Sequence, residues 1–156
     1  IRALAYLGTK GGASTISQQL ARQLFVGVRD KESTTNAILQ KIQEWVIATR
    51  LERNYTKEEI IAMYLNIYDF GYNADGIRSA ARIYFGKEPT ELRTEESAVL
   101  VGMLKNSSLY NPMRREELVL GRRNTVLGQM AKYGYITEQE KDSLQKLEMK
   151  INFNPE

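Results

Sequence analysis

Histidine and cysteine are both absent from this chain of 156 residues. Without imidazole there is no Ser-His-Asp or Cys-His triad, no histidine-ligated metal and no imidazole base within these residues. Without thiols there is no disulfide scaffold, no thiolate nucleophile and no cysteine-held zinc. Acid–base chemistry near neutral pH therefore falls to carboxylates, lysine or tyrosine. Long apolar runs are missing too. The longest, interrupted only by a glycine, is Ala98 to Leu104, far short of the roughly 20 residues that cross a bilayer. No period-2 run of useful length occurs, so strands are not expected. No signal peptide is visible, and the chain opens at Ile1 in mid-pattern, so it is expected to be a piece of a longer protein.

What is present reads as a globular domain with a substantial core: 42% hydrophobic and 26% charged residues. Lysine and arginine number 22 against 19 acidic residues, a net charge of +3. That excess suits anionic lipid, a phosphorylated substrate or nucleic acid and selects none of them. Helix signals dominate. The punctuation predicts helices over about Thr15–Phe25, Ala37–Arg53, Lys57–Asn66, Gly76–Phe85 (stopped by Gly86), Glu95–Lys105 and Arg115–Tyr133, with a last one behind Thr137-x-x-Glu140. Val26 to Asn36 has little periodicity and is expected to be a mobile loop; Lys150 to Glu156 reads as the start of a strand or linker. The fold class is all-α.

The run Lys10-Gly11-Gly12-Ala13-Ser14-Thr15-Ile16-Ser17-Gln18-Gln19-Leu20-Ala21-Arg22-Gln23 carries the strongest chemical signal. Glycines lead a basic turn into a helix whose N-terminal N–H groups are a natural phosphate seat. Thr15-x-x-Gln18 fits a capping box. Thr15, Gln19 and Arg22 share one flank, beside the apolar stripe of Ile16, Leu20 and Leu24. Ordinary capping and solvation explain the same residues equally well. Glu44 lies opposite the Ile38, Ile42 and Trp45 stripe, flanked by Ala37, Lys41, Ala48 and Leu51. It is either a solvated partner of Lys41 at i,i+3 or an acid beside a ligand-sized gap between small neighbours. The loop Tyr68 to Asp75, with Tyr68, Asp69, Phe70, Tyr72 and Asp75, could bind sugar or cap the core. Arg114, Arg115, Arg122 and Arg123 could touch phosphate, with solvated charge as the simpler reading.

Taken in order, these segments resemble the peptidoglycan glycosyltransferase domain of class A penicillin-binding proteins, glycosyltransferase family 51. Gly12-Ala13-Ser14-Thr15-Ile16-Ser17-Gln18-Gln19-Leu20 is similar to the family's Gly-Gly-Ser-Thr-Ile-Thr-Gln-Gln-Leu motif. Lys41-Ile42-Gln43-Glu44 resembles Arg-Lys-x-x-Glu, and Ile60-Ile61-Ala62-Met63-Tyr64-Leu65-Asn66 resembles Ile-Leu-x-x-Tyr-Leu-Asn. Gly76 to Lys87, Tyr110-Asn111-Pro112 and Arg122-Arg123-Asn124 continue the match, which runs from about Arg2 to Leu147.

The resemblance implies a lysozyme-like all-α domain over residues 1–150 with a membrane-facing lobe, and a linker starting at 151. It implies polymerisation of lipid II into glycan strands by inverting transfer to a sugar 4-hydroxyl. Glu44 would be the catalytic acid on the donor side; Ser14, Thr15, Gln18, Gln19, Arg22 and Lys41 would bind substrate. The implied partners are lipid II, the growing strand and the outer face of a bacterial cytoplasmic membrane, with a transpeptidase domain as a candidate neighbour and no nucleic acid. No cofactor is implied by the motifs present, and a divalent-metal requirement is left open by the sequence. The family's first motif, Glu-Asp-x-x-Phe-x-x-His, carries its general base and is missing here. The base is expected upstream of Ile1, leaving these residues inactive alone. Gln40 stands where the family usually has Arg, Arg22 where Lys is common, and Gln23 where Asn is common. A non-catalytic module that binds glycan or lipid on the same fold is the alternative; a basic helical nucleic-acid binder has no recognition motif behind it.

Overall fold

The structure, a computed structural model, describes residues 14–26 and 34–155. The described chain is helical and forms two compact units, divided in sequence between Leu65 and Asn66. Among the described residues no strand appears, only an isolated antiparallel bridge between Asp69 and Asp75. The all-α expectation is met.

The first unit contains α1 (Ile16–Ala21), a π turn (Arg22–Val26), α2 (Thr34–Asn54) and most of α3 (Lys57–Ile67). Thr15 caps α1: its Oγ1 accepts the Gln18 N–H at 3.2 Å. The α3 cap is the full reciprocal box, with Thr56 N–H on Glu59 Oε2 at 2.8 Å and Glu59 N–H on Thr56 Oγ1 at 3.2 Å. The loop expected over 26–36 is helical wherever it is described. Val26 closes the π turn and α2 begins at Thr34, three residues before the expected Ala37; residues 27–33 lie outside the described residues, as do 1–13.

The face of α2 also differs from the simplest expectation for Glu44. Ile38 and Ile42 are exposed, whereas Glu44, Ala48 and Leu51 are buried with Leu20, Ala21, Ile60 and Tyr64. Small Ala48 and Ala21 let the helices approach, so the Glu44 side is the one that packs. Glu44 is not a solvated acid.

The second unit runs α4 (Gly76–Phe85), a 3-10 turn (Pro89–Glu91), α5 (Thr94–Met103), α6 (Glu116–Lys132) and α7 (Glu138–Gln145). Its core joins Phe70, Ala80, Ala81, Tyr84, Val99, Leu100, Met103 and Val119. Gly86 ends α4 in the left-handed region at φ 65°, the conformation that favours glycine at this position. Thr137 caps α7 through Glu140, as expected. Residues 151–155 form no regular element, and the N–H groups of Asn152 and Asn154 donate to the carbonyls of Tyr84 and Ile83 at 2.9 and 2.8 Å.

Candidate functional site

The first unit gathers the motif residues into one hydrogen-bonded cluster. Glu44 and Lys41 are one turn apart on α2, so they share a face. Arg22 reaches the same acid from the first residue of the π turn, where the helix widens; such turns often mark functional sites. Arg22 Nε donates to Glu44 Oε1 at 2.6 Å and Lys41 Nζ donates to Oε2 at 2.6 Å. Each carboxylate oxygen thus holds one cation. Lys41 Nζ donates also to Ser14 Oγ at 2.9 Å and to Gln18 Oε1 at 3.4 Å, which commits all three of its protons.

Glu44 is 2% exposed, while the Arg22 side chain keeps 35% of its surface in solvent. Burial pushes the Glu44 carboxyl up, but the hydrogen bonds and charges of Arg22 and Lys41 outweigh it and hold the group below its ordinary value. The acid is therefore ionised near neutral pH and is a weak proton acceptor. Two cations and one carboxylate leave a net charge of +1. Chemically, such an arrangement can attract an anion, its two cations being held apart and oriented by an internal carboxylate.

A second string of bonds supports the first. Gln19 Nε2 donates to the Ser14 carbonyl at 3.3 Å, and the Tyr64 hydroxyl donates to Gln19 Oε1 at 2.8 Å. Ser14, Gln18, Gln19, Arg22, Lys41 and Glu44 are thus brought together. Thr15 stands apart as the helix cap. The sequence reading takes Tyr64 only as a packing residue, and the structure adds its hydroxyl to the cluster. The signal for it was chemical: a tyrosine on a buried helix face normally finds a polar partner for its hydroxyl.

The other candidates lie in the second unit and are used structurally. Tyr68 donates to the Met103 carbonyl at 3.0 Å, and Phe70 is fully buried, so that part of the aromatic loop fills the core. Tyr84 donates to the Phe70 carbonyl at 2.8 Å, and burial pushes its phenol up to about 12, which makes it a fixed donor. Arg114 stacks over exposed Tyr72, its guanidinium carbon 5.4 Å from the ring centre. Arg122 donates to the Gly102 carbonyl at 3.4 Å. Arg123 is neither solvated nor placed for phosphate: it is buried and donates to the carbonyls of Leu147 and Gln145 at 2.8 and 2.9 Å. Among the described residues there is no group of three or more acidic side chains that could hold a metal ion, and no helix long and apolar enough to cross a membrane.

Comparison with known proteins bears on the same residues. The family model described as Transglycosylase matches residues 1–131. Penicillin-binding protein 1A of Escherichia coli K12 is 40% identical over 143 residues, covering 92% of this chain and 16% of that protein. Penicillin-binding protein 1F of Bacillus subtilis 168 is 41% identical over 133 residues, covering 85% of this chain and 18% of that protein. The chain therefore spans less than a fifth of the length of either relative. The crystal structure of penicillin-binding protein 1A from Haemophilus influenzae superposes with a TM-score of 0.59 at 35% identity, covering 64% of this chain and 15% of that one. With its helical architecture, its clustered motif residues and a match over most of its length, the chain belongs to the transglycosylase family.

Proposed function

We propose that this domain polymerises lipid II as the glycosyltransferase part of a class A penicillin-binding protein. The observation that carries the reading is the clamp of Arg22 and Lys41 on buried Glu44. In the transfer, the acceptor sugar's 4-hydroxyl oxygen bonds to the anomeric carbon of the donor, the bond from that carbon to the pyrophosphate breaks with inversion, and the hydroxyl proton passes to a base. Charge develops on the departing pyrophosphate, and the net positive clamp stabilises it there. Arg22, the more exposed cation, meets the phosphates first; Lys41 follows through Ser14 and Gln18. Glu44 serves this step as the ionised acid that sets both cations. Held ionised by two cations, it is a poor proton acceptor, so the proton abstraction is left to another group.

A membrane-facing role has its own support. Leu24, Phe25, Ile38, Leu39, Ile42 and Val46 are all exposed in the first unit, with Phe25 at 63% and Leu39 at 55%. Exposed apolar side chains in such number favour a lipid surface, and a lipid-linked donor at the outer face of the cytoplasmic membrane would present one. A transpeptidase domain elsewhere in the full-length protein completes the reading.

The test uses the full-length protein with fluorescent lipid II in detergent, products resolved by gel. Glycan strands are expected from the wild type and none from Glu44→Gln. A full-length wild type that binds lipid II without consuming it would favour the non-catalytic module, and wild-type turnover by the variant would remove Glu44 from the mechanism.

A further inference from the structure

One side-chain atom among the described residues is buried without a hydrogen-bond partner: the amide oxygen of Gln40. Its place makes it informative. Gln40 lies one turn before Glu44 on the same side of α2, with Lys41 about 100° round the helix from it, so it borders the clamp. The nearest cation on its own helix has nothing to offer it, since the three Lys41 protons go to Ser14, Gln18 and Glu44. A buried acceptor without a donor is destabilising and uncommon in folded proteins. Each such group calls for an explanation, and a bound molecule that supplies the missing donor is one.

The residue as a whole is only half-buried. The terminal torsion of a glutamine is soft and nearly two-fold, and no bond holds the oxygen where it is, so a turn of the amide brings it within reach of a bound molecule. An amide oxygen is uncharged and accepts only. It complements a neutral donor, a hydroxyl or an amide N–H, and not the phosphate that the adjacent cations attract. The four residues from Gln40 to Glu44 rise about 6 Å along the axis, comparable to the step from a phosphate to the far side of the sugar it carries.

We infer that Gln40 is a specificity-determining contact for the donor. Its side-chain oxygen accepts a hydrogen bond from a hydroxyl or acetamido N–H of the sugar next to the pyrophosphate. The inference rests on the reading of the clamp as a glycan-pyrophosphate site. It divides the labour along α2: Lys41 and Glu44 deal with charge, and Gln40 reads the sugar.

The test compares full-length wild type with Gln40→Met, which keeps the length of the side chain and removes the acceptor. Two ligands are titrated: lipid II, and a polyprenyl pyrophosphate that has the same lipid and phosphates but no sugar. The variant is expected to bind lipid II about five- to tenfold more weakly, with KM raised to match. Its kcat, its affinity for the sugarless ligand and its melting temperature should stay level or, for the last, rise, because an unpartnered buried acceptor has gone. Equal weakening towards both ligands would overturn the inference, as would unchanged affinity for lipid II. So would a variant that melts earlier or fails to fold, since then the glutamine serves the fold. A wild type that neither binds nor consumes lipid II would instead sink the functional reading beneath it.

Discussion

At the scale of single residues, Glu44 decides most. Its carboxyl sits below the ordinary value of 4.5 in the folded chain, so the folded form takes up this proton less readily than the unfolded form. The stabilisation from the clamp is therefore fully present above about pH 4.5 and drains away as the pH falls through the folded value. Thermal melts of wild type and Glu44→Gln should differ at pH 7 by about 1–2 kcal/mol, the lower range for a buried pair because Arg22 reaches solvent. The gap should close as the pH drops below 4.5; a gap that stayed constant down to pH 3 would show that Glu44 is not held by its cations. Arg22→Ala should weaken the donor about 10- to 100-fold, the worth of a charge-assisted hydrogen bond, as read by titration with lipid II. Much of this was legible in advance. Lys41 and Glu44 at i,i+3 announce their own pair, and Arg22 falls on the flank that faces them. The partner of Tyr64 was not legible, because its hydroxyl meets Gln19 across 45 residues of sequence. Arg123 was misleading for the same reason: the carbonyls that bury it come from residues 145 and 147, and local sequence says nothing of them.

At the scale of elements, capping chemistry read true except that the Gln18 side chain turns to Lys41 and does not complete the Thr15 box, and helix faces did not read true. Thr56, Thr137 and Gly86 each sit where the local rules place them, because a cap is satisfied within four residues. The packed face of α2 depends on what the rest of the unit offers, and there the apolar stripe lost to Ala48 and Leu51. The π turn at Arg22 has no sequence signature at all. Two glycines illustrate how differently elements tolerate change. Gly76 starts α4 at φ +82°, and a Cβ there would lie 2.5 Å from the Asn66 carbonyl oxygen. Neither the backbone angle nor the neighbour can yield, so Gly76→Ala should cost about 3 kcal/mol or more. Gly121 lies within α6 with nothing within 4 Å of an added Cβ. Gly121→Ala should stabilise by about 0.5–1 kcal/mol. Chemical denaturation of the two variants checks both signs.

At the scale of the whole molecule, the charged cluster shares the first unit with exposed Leu24, Phe25, Ile38, Leu39, Ile42 and Val46, while Arg78, Arg82, Arg93, Arg114, Arg122 and Arg123 of the second unit engage its own carboxylates, carbonyls and a tyrosine ring. Surface contact should therefore be separable from folding. Replacing Phe25 and Leu39 together by glutamate should reduce co-sedimentation with phosphatidylglycerol vesicles several-fold while leaving the melting temperature nearly unchanged, because exposed side chains contribute little to stability. Equal sedimentation of the double variant and wild type would remove those side chains from the membrane face. The net charge of +3 adds attraction to anionic lipid, so the effect should be larger on anionic than on zwitterionic vesicles.

The carboxylate between Arg22 and Lys41 also behaves as a counter-ion that cannot diffuse away. Its effective concentration is set by the chain, and chloride at cellular levels competes poorly with it. A site built this way stays closed to stray monovalent anions and opens to a ligand that brings two or more charges at once. Selectivity for a pyrophosphate over the ions that surround it would then come from the protein's own acid.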